Sequence, residues 1–359
     1  METSLEDVTA LAVPGEPGLP ALAAAAVEAG TAPATRRAYT LDWRAFIAWC
    51  EREGRQPLPA SGDTLTAYVT YLCYEWVPAR DGWKYEPGDG RPRGMKPASV
   101  ERARAAIAAA HRTACAPKPD VQGTIKVLKG YRALLAASHD PRAKPRRATV
   151  VTPDDLRQMF PEIPSDDVRT LRDYAMLALD YCTGARASEL TALNVEDVSP
   201  GPEGLRVWVY RMKTRKAEDV AIPRKDAPDS VRVVTAWLEV LAGQGRTSGP
   251  LFVRLSRPGT SGKIAFGAPA GPGGGDPDGR MNEKQVTRVL RKHAGRAGLE
   301  GRWTSHGLRR GMATTSHRAG NDRYAIARQG GWDKNSRALD GYIEDGDMWT
   351  ENALRGAGL

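Results

Sequence analysis

A chain of 359 residues is long enough for two domains and a tail, and a hydrophobic share of 41% is enough for ordinary globular cores. Lys and Arg outnumber Asp and Glu by 52 to 43, a formal charge of +9 that favours polyanionic partners, because neutralised phosphates release condensed counterions. No run of about 18 apolar residues is present to span a bilayer, and residues 19–27 lack the positive start of a secretory signal, so a cytoplasmic protein is expected.

Residues 1–34 are rich in Ala, Pro and Gly and carry acids but no Lys or Arg, which reads as a disordered acidic leader. Thr35 is a candidate N-cap for a first helix in which Tyr39, Trp43, Phe46, Ile47 and Cys50 recur at helical spacing. A second helix is expected after Asp63 through Leu65, Tyr68, Val69 and Leu72, then a loop over residues 77–97. Ser99 is expected to cap a third helix that carries Arg102 and Arg104, and a fourth spans about 121–137. Residues 35–138 thus read as a small all-helical bundle. The basic, Pro-containing stretch 139–150 reads as a linker. Residues 80–147 hold 16 basic against 6 acidic side chains, so the positive charge is concentrated rather than spread.

Residues 151–345 read as a mixed α/β domain. Thr152-Pro-Asp-Asp is a helix start with Pro at N1. Helices follow at 168–182 and 187–193, and strands at 205–210 and 219–222 flank a Lys/Arg turn. A helix over 229–242 precedes a Gly/Pro-rich, flexible insertion at 256–280. Helices resume at 282–298, 306–319, 321–329 and 335–341, and residues 346–359 form a tail with a short amphipathic segment. The fold class is therefore mainly α with one small antiparallel sheet.

Cys50, Cys73, Cys115 and Cys182 form no CxxC pair and have no His at ligand spacing, so no metal is implied. Four other stretches can carry chemistry. In Thr183-Gly-Ala-Arg186-Ala-Ser-Glu189, a Gly turn sets a guanidinium at a helix start, and Glu189 shares its helical face. Lys213, with Lys216 as a rival, sits at the turn between the two strands and can donate a proton. His306 and Arg309 are three apart on one helix and point the same way. Gly330-Gly331-Trp332 and Gly341-Tyr342 supply an indole N–H and a phenol. Each stretch alone is more often a surface ion pair, a solvated Lys or a core aromatic.

Taken in order, Arg186, Lys213, His306, Arg309, Trp332 and Tyr342 resemble the active-site set of the tyrosine recombinase, or phage integrase, family. Trp332 stands where most members have His. The resemblance covers the second domain, and the helices around Thr35 and around His111 are similar to the family's core-binding domain. It implies a two-domain clamp on duplex DNA bearing an inverted-repeat site, and cyclic homotetramers in which the tail contacts a neighbouring protomer.

The residue types suit that reaction. A phenolate attacking phosphorus stores the phosphodiester bond, so neither nucleotide nor other cofactor is required. Arg186, steadied by Glu189, and Arg309 would stabilise charge on the non-bridging oxygens, with Trp332 as a further donor. His306 would accept the Tyr342 proton, and Lys213 would protonate the leaving 5′ oxygen. Arg37, Ser99 and Arg102 are candidate DNA contacts, and Tyr324 is the next candidate nucleophile after Tyr342. The competing readings are an integrase or transposase with the same chemistry, a type IB topoisomerase, and a catalytically silent DNA-binding protein.

Overall fold

The computed structural model describes residues 33–76, 94–144, 146–164, 166–256, 264–267 and 276–347, with Leu354 and Ala357. It divides into two compact units between Arg146 and Arg147. Among the described residues no helix is long and apolar enough to cross a membrane.

The first unit is built from helices α1 (Pro33–Arg52), α2 (Gly62–Tyr74), α3 (Pro97–Thr113) and α4 (Gln122–Ala137). Helix α1 packs on α3, and α2 on α4. Trp43, Phe46, Leu65, Tyr68, Val69, Ile107 and Leu128 fill the space between them. These include the periodic positions of the sequence, because an apolar stripe at 3.6-residue spacing must be covered to gain its burial energy. Two starts differ from expectation. Helix α1 begins at Pro33, ahead of Thr35. Helix α3 begins at Pro97 with Lys96 as its cap, which leaves Ser99 inside the first turn. Proline's fixed φ suits the first helical position, and in α3 this outweighs the hydroxyl cap of Ser99. His111 is fully buried; Nδ1 donates to the Ile107 carbonyl (2.8 Å) and Nε2 accepts the Ala60 N–H (2.9 Å). Burial keeps its pKa below the ordinary value, consistent with that neutral tautomer.

The second unit contains α5 (Pro153–Met159), α6 (Val168–Thr183), α7 (Ala187–Ala192), a sheet of β1 (Val198–Gly201), β2 (Gly204–Arg211) and β3 (Lys216–Pro223), then α8 (Pro228–Gly243), α9 (Glu283–Arg296), α10 (Ser305–Arg318), α11 (Arg323–Gly330) and α12 (Arg337–Asp347). The sheet is antiparallel in the order β1-β2-β3, with Val207 opposite Val220 and Arg211 opposite Lys216. This is the mainly helical fold with one small sheet that the sequence predicts. Helix α6 is central: Leu171, Ala175, Met176, Leu177, Ala178 and Leu179 are all buried, and α8 and α10 pack on it.

Local chemistry explains most boundaries. Thr152 and Asp155 exchange hydrogen bonds in a capping box that starts α5. On β2, Leu205, Val207, Val209 and Arg211 face inward while Arg206, Trp208 and Tyr210 face out. Strand β1 is additional to the expected pair. At four residues with Pro200 inside, it has no alternation to read, and proline is tolerated there because β1 is an edge. At the base of the expected insertion, Val253 bridges to Arg280 and Leu255 to Phe266; most of residues 256–280 lie outside the described residues. Helix α12 continues through Asp347, so Tyr342 stands inside a helix rather than at its end. Of the expected tail at 346–359, only residues 346, 347, 354 and 357 are among the described residues.

Candidate active site

Helix α6 stops at Gly184, whose left-handed backbone (φ 52°) a side chain would strain, and a Cβ there would come within 2.4 Å of Met312 Cε. The chain then extends through Ala185 to Arg186, the cap residue of α7. Arginine is no capping residue, so Glu189 reaches back instead. Its Oε2 accepts the Arg186 backbone N–H (3.0 Å) and its Oε1 accepts Arg186 Nη1 (2.6 Å). Glu189 is buried, while the Arg186 side chain keeps 30% exposure. One oxygen fixes the backbone and the other fixes the guanidinium, which leaves part of that cation open to a ligand.

Arg309 on α10 is 2% exposed. Its Nη1 donates to the carbonyls of Gly184 and Gly330, the latter at 2.7 Å, and its Cζ lies 3.8 Å from the Trp332 ring centroid. Its Nη2 is buried without a hydrogen-bond partner among the described residues, a donor that an incoming oxygen can satisfy. Burial, and then the nearby Arg186, lower its pKa to about 9, which leaves it charged at neutral pH. Trp332 reaches Arg309 because Gly331 ends α11 in the left-handed region (φ 64°) and turns the chain, with the Trp332 backbone N–H bonded to the Ala327 carbonyl (2.9 Å). The indole thus presents its face to a cation, in addition to the N–H expected of it.

His306 and Tyr342 meet across α10 and α12. The phenol oxygen is 2.7 Å from Nε2, and the rings are edge-on at 5.7 Å between centroids. Thr314 donates to the Tyr342 carbonyl (3.3 Å), a second tie between these helices. Although His306 keeps an open edge, desolvation of the ring lowers its pKa, helped by Arg309, Arg310 and Arg186. Burial raises the Tyr342 pKa, and the same three cations only partly offset it. Near neutrality the imidazole is therefore uncharged and the phenol protonated, so the hydroxyl donates to Nε2. The Arg310 guanidinium lies 5.7 Å from the Tyr342 ring centroid and is anchored on the Ala148 carbonyl.

The structure therefore gathers Arg186, Glu189, His306, Arg309, Trp332 and Tyr342. Lys213 is not among their contacts; it stands exposed on the turn between β2 and β3, as does Lys216 at the start of β3. Tyr324 is 63% exposed in the first turn of α11. In the first unit Arg37 is exposed on α1 and Ser99 is half-buried. The Arg102 fork is engaged by Asp42, with Nε and Nη2 at 2.7 and 3.1 Å from its two oxygens.

Arg211 and Asp180, both fully buried, are among the ionisable residues that escaped the sequence reading. Arg211, fully buried at the end of β2, donates from Nη2 to the carbonyls of Thr183 (3.1 Å) and Gln329 (2.9 Å) and lies 3.5 Å from Glu189 and 3.4 Å from Glu218. Strand alternation was the available signal, since 205, 207 and 209 face inward and 211 continues the series. Asp180 on α6 is fully buried, with neither carboxylate oxygen hydrogen-bonded among the described residues. No sequence pattern marks it.

A helical domain followed by a mixed domain in which two arginines, an imidazole and a phenol converge defines a phosphoryl-transfer enzyme. Residues 149–347 match the Phage integrase family, to which the chain belongs; it is a tyrosine recombinase, an enzyme of DNA strand cleavage and ligation in site-specific recombination. It is 25% identical to an integrase/recombinase xerD homolog of Selenomonas ruminantium over 91% of this chain and 86% of the relative. To the recombinase cre of Escherichia phage P1 it is 22% identical, over 87% and 84%. Its fold is similar to that of a lambda integrase dimer bound to a COC' core site (TM-score 0.51, 17% identity, 89% of this chain and 92% of that one). It also resembles the Tn1549 transposon integrase in complex with circular intermediate DNA (TM-score 0.51, 12% identity, 94% of each chain).

Proposed function

We propose that the protein exchanges DNA strands at an inverted-repeat site through a covalent 3′-phosphotyrosine on Tyr342. The observation that carries this reading is the 2.7 Å contact between the phenol and His306 Nε2, set beside two guanidinium groups. The Tyr342 oxygen attacks the scissile phosphorus while its proton passes to His306. The bond from phosphorus to the 5′ oxygen breaks, and Lys213 protonates that oxygen. Ligation runs the same steps backwards with a 5′-hydroxyl from the partner duplex, through a Holliday junction.

Arg186 and Arg309 bind the non-bridging oxygens, where charge grows in the transition state. The open share of Arg186, and the Nη2 of Arg309 that has no partner among the described residues, support those roles. Trp332 backs Arg309 and offers its indole N–H. Lys213 lies two residues beyond the buried Arg211, so a hairpin anchored beneath the cluster carries it, and bound DNA would bring the two together. The exchange conserves bond energy and needs no nucleotide.

Duplex DNA is the partner in this reading, gripped with the help of the exposed Arg37, of Ser99 and of the edge of Arg102 that Asp42 leaves open. The active assembly is a homotetramer on DNA, in the cytoplasm at the nucleoid. The test is a nicked suicide duplex that traps the covalent adduct. Tyr342→Phe is expected to bind the duplex and form no adduct; an adduct in that variant moves the nucleophile elsewhere, with Tyr324 next. Recombination between two defined sites, rather than relaxation of any supercoiled plasmid, is expected of the wild type.

A further inference from the structure

We infer that Arg211 is a positioning residue for strand cleavage: its guanidinium holds the Glu189 carboxylate in place, and Glu189 in turn holds Arg186 toward the scissile phosphate. The inference rests on the proposed role of Arg186. Arg211 itself cannot touch DNA, because its side chain has no exposed surface. Whatever it contributes must pass through neighbours.

Those neighbours are the supports of the site. Glu189 Oε2 accepts the Arg186 backbone N–H at 3.0 Å and lies 3.5 Å from Arg211 Nη1, a charge contact without a hydrogen bond, while Oε1 takes Arg186 Nη1 at 2.6 Å. A buried carboxylate flanked by two guanidinium groups divides its attraction between them. With Arg211 neutralised, Arg186 is the sole cation bonded to that buried anion and is drawn onto it. An arginine so engaged has less charge and fewer N–H groups to give a phosphate. The second cation therefore keeps Arg186 both anchored and available.

The other contacts of Arg211 reach the same goal through the backbone. Nη2 donates to Thr183 and Gln329, carbonyls at the C-terminal ends of α6 and α11, where helix carbonyls lack partners and carry partial negative charge. Arg186 springs from the first of these ends and Trp332 from the second. Gly331 lies so close that a Cβ would stand 2.4 Å from Arg211 Nε, so the turn that delivers Trp332 is moulded on this guanidinium. Glu218, across the strand pair at 3.4 Å from Nε and partly exposed, completes the counter-charge. One buried cation thus joins the segments that supply Arg186 and Trp332 to the hairpin that carries Lys213.

The experiment is single-turnover adduct formation on the suicide duplex with saturating enzyme, with DNA affinity measured separately in a Tyr342→Phe background. Arg211→Met keeps length without charge, and Arg211→Lys keeps charge without the fork; thermal unfolding identifies which variants are folded. The cleavage rate is expected to fall about a hundredfold in Arg211→Met and at least about tenfold in Arg211→Lys, with affinity changed less than about threefold. Combined with Glu189→Gln, either change is expected to give a loss clearly smaller than the product of the single losses, because the two share the Glu189 carboxylate. A folded variant that cleaves at the wild-type rate overturns the inference, as do losses that multiply in the double variants. Should Arg211→Met fail to fold, the Arg211→Lys pair decides alone. If the wild type forms no Tyr342 adduct, the proposed function fails instead, so the two failures are distinguishable.

Discussion

The phenol of Tyr342 and the imidazole of His306 form a 2.7 Å hydrogen bond in which the hydroxyl is the donor, because the surroundings move their pKa values apart. His306 is held below the ordinary imidazole value of about 6.5, so its neutral, proton-accepting form persists through neutrality. The rate of adduct formation at subsaturating DNA, which reports the free enzyme, is expected to be flat near pH 7 and to fall only at a pH below about 6.5. His306→Asn is expected to lose that acid limb along with roughly a hundredfold or more in rate. An acid limb centred above pH 7, or one that survives in His306→Asn, excludes His306 as the proton acceptor.

Trp332 can serve by its ring face or by its N–H, and the two roles separate experimentally. Arg309 Cζ sits 3.8 Å from the ring centroid in a buried setting, where a cation–π contact is worth about 2 kcal/mol. Trp332→Ala loses both functions, whereas Trp332→Phe keeps an aromatic face and loses the N–H. If the stack dominates, Trp332→Ala should cleave about thirtyfold more slowly than wild type, with Trp332→Phe within a few-fold. Equal losses in the two variants assign the contribution to the N–H.

How far these roles could be read beforehand follows from the range of the forces involved. The capping box at Thr152 and Asp155 and the inward series on β2 depend on residues a few positions apart, so they are legible in the chain. So is the ion pair between Arg186 and Glu189, one helical turn long, though not the division of its two oxygens between backbone and side chain. The order Arg186, His306, Arg309, Trp332, Tyr342 was legible only by resemblance, since their contacts join α7, α10, α11 and α12. Arg211 was read as part of a basic turn. What makes it different is a pair of carbonyls 28 and 118 residues away, and no local pattern encodes those. Asp180 is hidden for the same reason: only tertiary packing removes water from every side of α6.

Lys213, exposed on its turn, is assigned the proton that the leaving 5′ oxygen requires. An alkoxide leaves poorly without protonation, whereas a thiolate, with a thiol pKa of about 8.5, leaves unaided. Lys213→Ala should therefore cleave an ordinary duplex at least about a hundredfold more slowly, yet cleave a duplex with bridging 5′-sulfur close to the wild-type rate. Lys216→Ala should behave like wild type on both. Rescue by sulfur in Lys216→Ala, with none in Lys213→Ala, would transfer the role to Lys216.

Asp180 is expected to set part of the protein's stability against pH. Complete burial raises its pKa well above the ordinary carboxylate range, and Glu189 adds to this while Arg309 and Arg211 oppose it. The folded state thus keeps this proton to a higher pH than the unfolded chain, which releases it above about pH 4, so folding takes up a proton in the window between the two values. A raised folded pKa contributes fully below the unfolded value and is lost as pH rises toward the folded one, by up to about 1.4 kcal/mol per pH unit. Asp180→Asn retains the shape of the neutral acid and cannot ionise. Its unfolding temperature should match the wild type near pH 4 and exceed it by a growing margin toward pH 8. Asp180→Leu should stabilise further at pH 8, since it removes a buried polar group that has no hydrogen bond among the described residues. A difference between Asp180→Asn and wild type that stays constant from pH 4 to pH 8 would show that the carboxyl is already ionised in the folded protein.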